Sequence, residues 1–96
     1  MPDKRDANEA AIVRHLERNG CIVIRQDRHA GFDLLVISDT GIHVVEVKNP
    51  ELRWHLTDAE QALQAGMMAH DQEYCIIETC EDADEMLIPI TDPFEE

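Results

Sequence analysis

The sequence has no lysine or arginine after Arg53: all 8 basic residues lie at or before it, whereas 12 of the 21 acids come later. The net charge of −13 is therefore carried almost wholly by residues 54–96, and residues 1–53 are close to neutral. This weighs against a broad basic surface for nucleic acid, because phosphate contacts are made largely by Lys and Arg. It leaves room for a local contact from the near-neutral part, with the acidic part as a solubilising surface. Long hydrophobic runs are also missing. No apolar stretch approaches the ~18 residues of a membrane helix, and the charged opening MPDKRDANEA lacks the apolar centre of a signal peptide. A cytoplasmic location is expected. The 3 cysteines, Cys21, Cys75 and Cys80, form no Cys-x-x-Cys pair, so the usual zinc and redox motifs are absent and the thiols are read as reduced and packed. Repeats and low-complexity linkers are lacking as well. At 96 residues the chain has room for a single domain with one modest core.

Its apolar residues fall in short runs whose spacing predicts the elements. A first helix is expected over residues 7–19, with Ile12, Val13 and Leu16 at helical spacing, Asp6 as its cap and Asn19-Gly20 as its stop. Strands rich in Val and Ile follow at 21–25, 32–38 and 42–48. The turn Ser38-Asp39-Thr40-Gly41 predicts that the last two form an antiparallel hairpin. Thr57 and Glu60 form a capping box opening a helix over 58–69, packed through Ala62, Leu63, Gly66 and Met67. A fourth strand at 74–79 and a short acidic helix at 81–87 complete a core spanning about 7–87, and residues 88–96 read as a loose acidic tail. The order αβββαβ, with an added terminal helix, makes an α/β domain with a small mixed sheet flanked by helices.

The chemistry is concentrated in Gly31-Phe32-Asp33 and Glu46-Val47-Lys48. Strand alternation sends Glu46 and Lys48 to one face and Val45 and Val47 to the other. If Ser38 pairs with Gly41, Asp33 stands opposite Glu46; a two-residue shift would place it opposite Lys48, so the three side chains cluster either way. Two carboxylates at one buried spot repel, at a cost of several kcal/mol if nothing compensates. A divalent cation resolves the conflict. Hard oxygen ligands suit magnesium or manganese, which activate water and polarise a phosphoryl group, and Lys48 would orient that water or offset developing charge. An ordinary cross-strand ion pair accounts for these three residues about equally well. Glu9, which aligns with Leu16 on the apolar face of the first helix, adds a carboxylate in need of a partner, for which the metal is one candidate. Arg28 and His29 before the motif, and Arg53, Trp54 and His55 after it, are candidates to contact phosphate or to stack on an unpaired base. The remaining histidines, His15, His43 and His70, have no metal-like spacing.

These motifs, the Glu9 helix before them and the αβ pair after them resemble the PD-(D/E)xK nuclease superfamily over roughly residues 7–87. Within it the chain looks most like the VRR-NUC domain and the archaeal Holliday-junction resolvases. The resemblance implies a restriction-endonuclease-like fold, with Asp33, Glu46 and the main-chain carbonyl of Val47 as metal ligands, Glu9 in support, and Lys48 as the catalytic lysine. It also implies that Gln61, on the helix after the lysine, faces the site. Phe32 stands where the family has a proline. The expected activity is Mg2+ or Mn2+ dependent hydrolysis of DNA, on plain duplex or on a branched substrate such as a junction or a flap, by a homodimer presenting two sites. The alternative from another class is a non-catalytic acidic protein on the same fold, a DNA mimic that binds a basic partner. A subunit of a larger phage or repair assembly is a third reading.

Overall fold

The computed structural model describes residues 4–27 and 30–88. Its elements are α1 (Lys4–Arg18), β1 (Ile22–Arg25), β2 (Leu34–Ser38), β3 (Gly41–Val47), α2 (Asp58–Ala69), β4 (Tyr74–Ile77) and α3 (Cys80–Leu87). This is the expected α/β order. The four strands form one mixed sheet in the order β1-β2-β3-β4, antiparallel from β1 to β3 and parallel between β3 and β4, which α2 connects.

Alternation along the strands gives the sheet two unlike faces. On one, Leu34, Val36, Val45, Val47, Cys75 and Ile77 pack with Ile12 and Leu16 of α1 and Ala83 of α3 into the buried core. Full burial of an aliphatic side chain is worth about 1.5–3 kcal/mol, so this layer supplies most of the drive to fold. On the other, Ile22, Ile24 and Ile42 are 60%, 43% and 68% exposed, and Leu35, Ile37 and Val44 are half-buried.

Helix ends follow local chemistry. α1 stops where Gly20 takes φ +85°. The Gly20 amide donates to the Glu17 carbonyl at 3.0 Å and the Cys21 amide to that of Leu16 at 3.1 Å, the paired bonds of a glycine-terminated helix. Both expected roles at Thr57 and Glu60 are present at the start of α2. A second capping box, Thr79 with Asp82, starts α3 at Cys80 rather than at residue 81.

Two expectations are corrected. α1 begins at Lys4, so Asp6 lies inside the helix and does not cap it; Lys4, Arg5 and Ala7 are good helix formers and extend the element. The inward face of α2 is Glu60, Leu63, Gln64 and Met67, while Ala62 and Gly66 are exposed. The capping box turns Glu60 inward, and the helical repeat then carries positions three, four and seven residues later to the same side. None of the described helices is long and apolar enough to cross a membrane. The expected loose tail, beyond Ile88, lies outside the described residues.

Candidate active site

Ser38 pairs with Gly41 and Leu34 with Val45, which brings Asp33 to the end of β3. Its amide donates to the Val45 carbonyl at 2.9 Å, and its Oδ2 accepts the Val47 amide at 2.8 Å. The loop before it is held from two sides. Tyr74 donates its hydroxyl to the Gly31 carbonyl at 2.6 Å. Gly31 has φ +85°, and a Cβ there would stand 3.1 Å from the Ala59 carbonyl oxygen in the first turn of α2. Glycine is therefore required on conformational grounds, and the loop carrying Asp33 can lie close against the helix.

Glu46 and Lys48 share the α2 side of the sheet, as alternation requires. Glu46 is completely buried. Lys48 Nζ lies 3.0 Å from its Oε2, but among the described residues neither Glu46 oxygen accepts an aligned hydrogen bond. The ammonium instead donates to Glu60 Oε1 at 2.9 Å and to the His55 carbonyl at 3.4 Å. Glu60 Oε1 also accepts the Thr57 amide at 2.8 Å. One carboxylate oxygen thus caps the helix and anchors the lysine.

Two carboxyl groups, Glu46 and Glu60, therefore flank one ammonium in a largely buried place, with Asp33 near enough to act on Glu46. Burial pushes the Glu46 carboxyl up to about 8, helped by the neighbouring Glu60 and Asp33 carboxylates and opposed by Lys48. Burial acts the same way on Glu60, but the Glu46 carboxyl, the Thr57 amide and Lys48 outweigh it and hold Glu60 down to about 2. For Lys48 the desolvation that would lower its pKa is overcome by Glu60 and Glu46, and the net direction is upward. The ammonium stays charged, and Glu46 either keeps a proton or needs a further cation.

The surroundings are polar on one side and aromatic on another. Trp54, 38% exposed, places its ring centroid 5.9 Å from Lys48 Nζ and donates its indole N–H to Glu78 Oε2 at 3.3 Å. Arg53 is exposed, as is His55, whose contribution to the site is its main-chain carbonyl. Asn8 of α1 spans the ends of the two parallel strands, donating to the carbonyls of Lys48 at 3.0 Å and Glu78 at 3.2 Å.

Two expected site residues stand elsewhere. Gln61 is exposed and donates to the Leu56 carbonyl at 2.9 Å; one residue along a helix is a rotation of about 100°, and Glu60 takes the inward position. Glu9 is nearly buried as expected, but Arg25 of β1 meets it at 3.6 Å. Among the described residues no three His, Cys, Asp or Glu side chains come together to hold a metal, so Glu9 does not join Asp33 and Glu46 in a cage. Its position on α1 aims it at the β1 edge, where a guanidinium compensates it. Arg28 and His29 lie outside the described residues. His15 meets Asp84 of α3 at 2.6 Å, His43 closes the hairpin turn with Ser38 and Thr40 at 3.1 Å each, and His70 is the C-cap of α2. All three cysteines are free, and burial raises the Cys75 thiol to about 12, with Glu73 adding to the shift.

Sequence reasoning gave Glu60 only a capping role and passed over Asn8 and Tyr74. The usable signal was that an N3 capping residue points back toward the chain preceding its helix, where the lysine strand ends.

Comparison with known proteins finds no relatives. No family model, no curated protein and no solved structure matches the chain.

Proposed function

We propose that the protein is a divalent-metal-dependent endonuclease that hydrolyses DNA phosphodiester bonds. The observation that carries this reading is Glu46: a carboxyl group with no exposed surface that shares the single Lys48 ammonium, 3.0 Å from its Oε2, with the buried Glu60 carboxylate and has buried Asp33 as a further acidic neighbour. One ammonium cannot balance this many buried acids, and an excess of buried negative charge is costly, so a further cation would complete the site. Mg2+ or Mn2+ fits the donor chemistry, with Asp33, Glu46 and the Val47 carbonyl as protein ligands and the remaining positions left to water and phosphate oxygens. When bound, the ion supplies an activated water and polarises the phosphoryl group. Lys48, fixed by Glu60, presents its ammonium to offset charge gathering on the phosphate oxygens. Arg53 is available to a flanking phosphate and Trp54 to an unpaired base. A homodimer would bring two such sites to one branched substrate.

The second reading, carried by the net charge of −13, is a non-catalytic acidic protein that binds a basic partner. Purified protein with Mn2+ on duplex, flap and four-way-junction DNA separates the two. Cleavage of at least one substrate is expected, falling at least a hundredfold in Lys48→Ala and Asp33→Asn variants shown by circular dichroism to be folded. No cleavage of any substrate, or undiminished cleavage by Lys48→Ala, overturns the enzyme reading. Calorimetry then distinguishes what remains: divalent-ion affinity lost in Asp33→Asn supports the site, whereas tight metal-free binding to a basic protein supports the mimic.

A further inference from the structure

At the other end of β3 from Glu46, the sheet is incomplete. β3 begins at Gly41, but its pairing with β4 begins only at Val44, so among the described residues no strand lies beside Gly41–His43 on that side. The gap opens into a groove of about 930 Å3 between α2 and α3. Part of its lining is apolar, with Ile42 and Val44 of β3, Leu63 and Met67 of α2, and Ile88 at the end of α3, and Thr40, His43 and Gln72 stand beside them. Ile42 and Ile88 are 68% and 63% exposed, a concentration of open apolar surface that marks an interaction site when rimmed by polar groups. The rim is acidic. Among the described residues, Asp39, Glu73 and Glu85 line the groove and no Lys or Arg does.

We propose that this groove docks an extended, basic segment of a partner protein, whose apolar side chains fill the groove and whose backbone adds to the free edge of β3. Strand addition to an open edge supplies main-chain hydrogen bonds, and alternating side chains supply specificity. Here alternation places one set against Ile42 and Val44 and the other toward the acids. Charge selects the occupant. Residues 89–96, which follow Ile88, carry 3 acids and no base, and a second copy of the chain would bring a net charge of −13 to a rim of the same sign. Like charges set against each other disfavour association, whereas a Lys- or Arg-bearing segment gains complementarity and faster association. At the ~3.4 Å rise of a strand residue, Ile42 and Glu46 are about 14 Å apart, so the groove and the carboxylate site are separate, and the groove would serve either function proposed above.

The test uses the full-length, isotope-labelled chain and three ten-residue probe peptides alternating Lys with Val, Lys with Ser, and Glu with Val. The Lys–Val peptide is expected to bind at least tenfold more tightly than either control and to shift the amides of residues 41–44. Ile42→Asn and Glu73→Lys, both exposed positions, are each expected to weaken it at least fivefold. Equal binding by the Lys–Ser peptide, shifts confined to other surfaces, or insensitivity to both substitutions overturns the proposal. So do nuclear Overhauser contacts from Ile90 or Phe94 to Ile42 in the unliganded chain, which would make the chain's own terminus the occupant, and concentration-dependent self-association that Ile42→Asn abolishes.

Discussion

On the α1/α3 side of the sheet, Leu34, Val36, Val45 and Val47 are fully buried beneath Ile12 and Leu16. On the α2 side, the intervening positions of the same strands include three isoleucines open to solvent and Glu46, a carboxylate with no exposed surface. One face is organised for stability. The other buries charged groups while leaving apolar ones in water, an inversion that works against stability and that the proposed metal site and docking groove would account for.

The largest test of that contrast compares Leu34→Ala with Ile22→Ala. Leu34 has no exposed surface and Ile22 is 60% exposed, so urea denaturation is expected to show a loss of about 2–5 kcal/mol for the first and less than about 1 kcal/mol for the second. Comparable losses would mean that the α2-side face is covered in solution.

The next concerns pH. An unfolded glutamate ionises near 4.3, whereas the Glu46 carboxyl in the fold is raised to about 8 by burial. Between these values the folded chain holds the additional proton, so its contribution to stability is full at low pH and is lost as pH rises toward 8, at no more than about 1.4 kcal/mol per pH unit. Glu60, held down to about 2, runs the other way: its contribution is present above the unfolded value and disappears as pH falls toward 2. In metal-free buffer the denaturation midpoint is expected to decline from pH 5 to pH 8, and Glu46→Gln to flatten that decline. A parental midpoint that rises over this interval would contradict the charge arrangement.

Smaller effects sharpen the picture. Thr57→Ala removes the side chain that accepts the Glu60 amide at 3.2 Å and is expected to cost about 1 kcal/mol. Asp71 follows α2 with φ +57°, a conformation that glycine adopts more readily. Asp71→Gly is expected to stabilise by about 0.5–1 kcal/mol, a rise of a few degrees in Tm for a domain of this size by calorimetry.

Much of this organisation could be read from local rules. The two-residue turn at Asp39-Thr40 sets the β2–β3 register, alternation puts Glu46 and Lys48 on one side, and the Thr57 capping box sets the start of α2. The misreadings share a cause. Whether Glu60 or Gln61 faces Lys48 depends on how α2 is rotated against the sheet, and Glu9 is compensated by Arg25, 16 positions away. Tyr74 reaches Gly31, and Asn8 reaches Glu78, across spans of 43 and 70 residues. No local pattern encodes such distant contacts.

The shared oxygen of Glu60 ties together two events that would otherwise be independent. Because Thr57 and Lys48 hydrogen-bond to the same atom, each fraying of the opening turn of α2 loosens the hold on the lysine. The exchange rate of one backbone amide, that of Thr57, thus becomes a gauge of how firmly Glu60 is seated, and whatever steadies the turn also steadies one of the three contacts of the lysine head group.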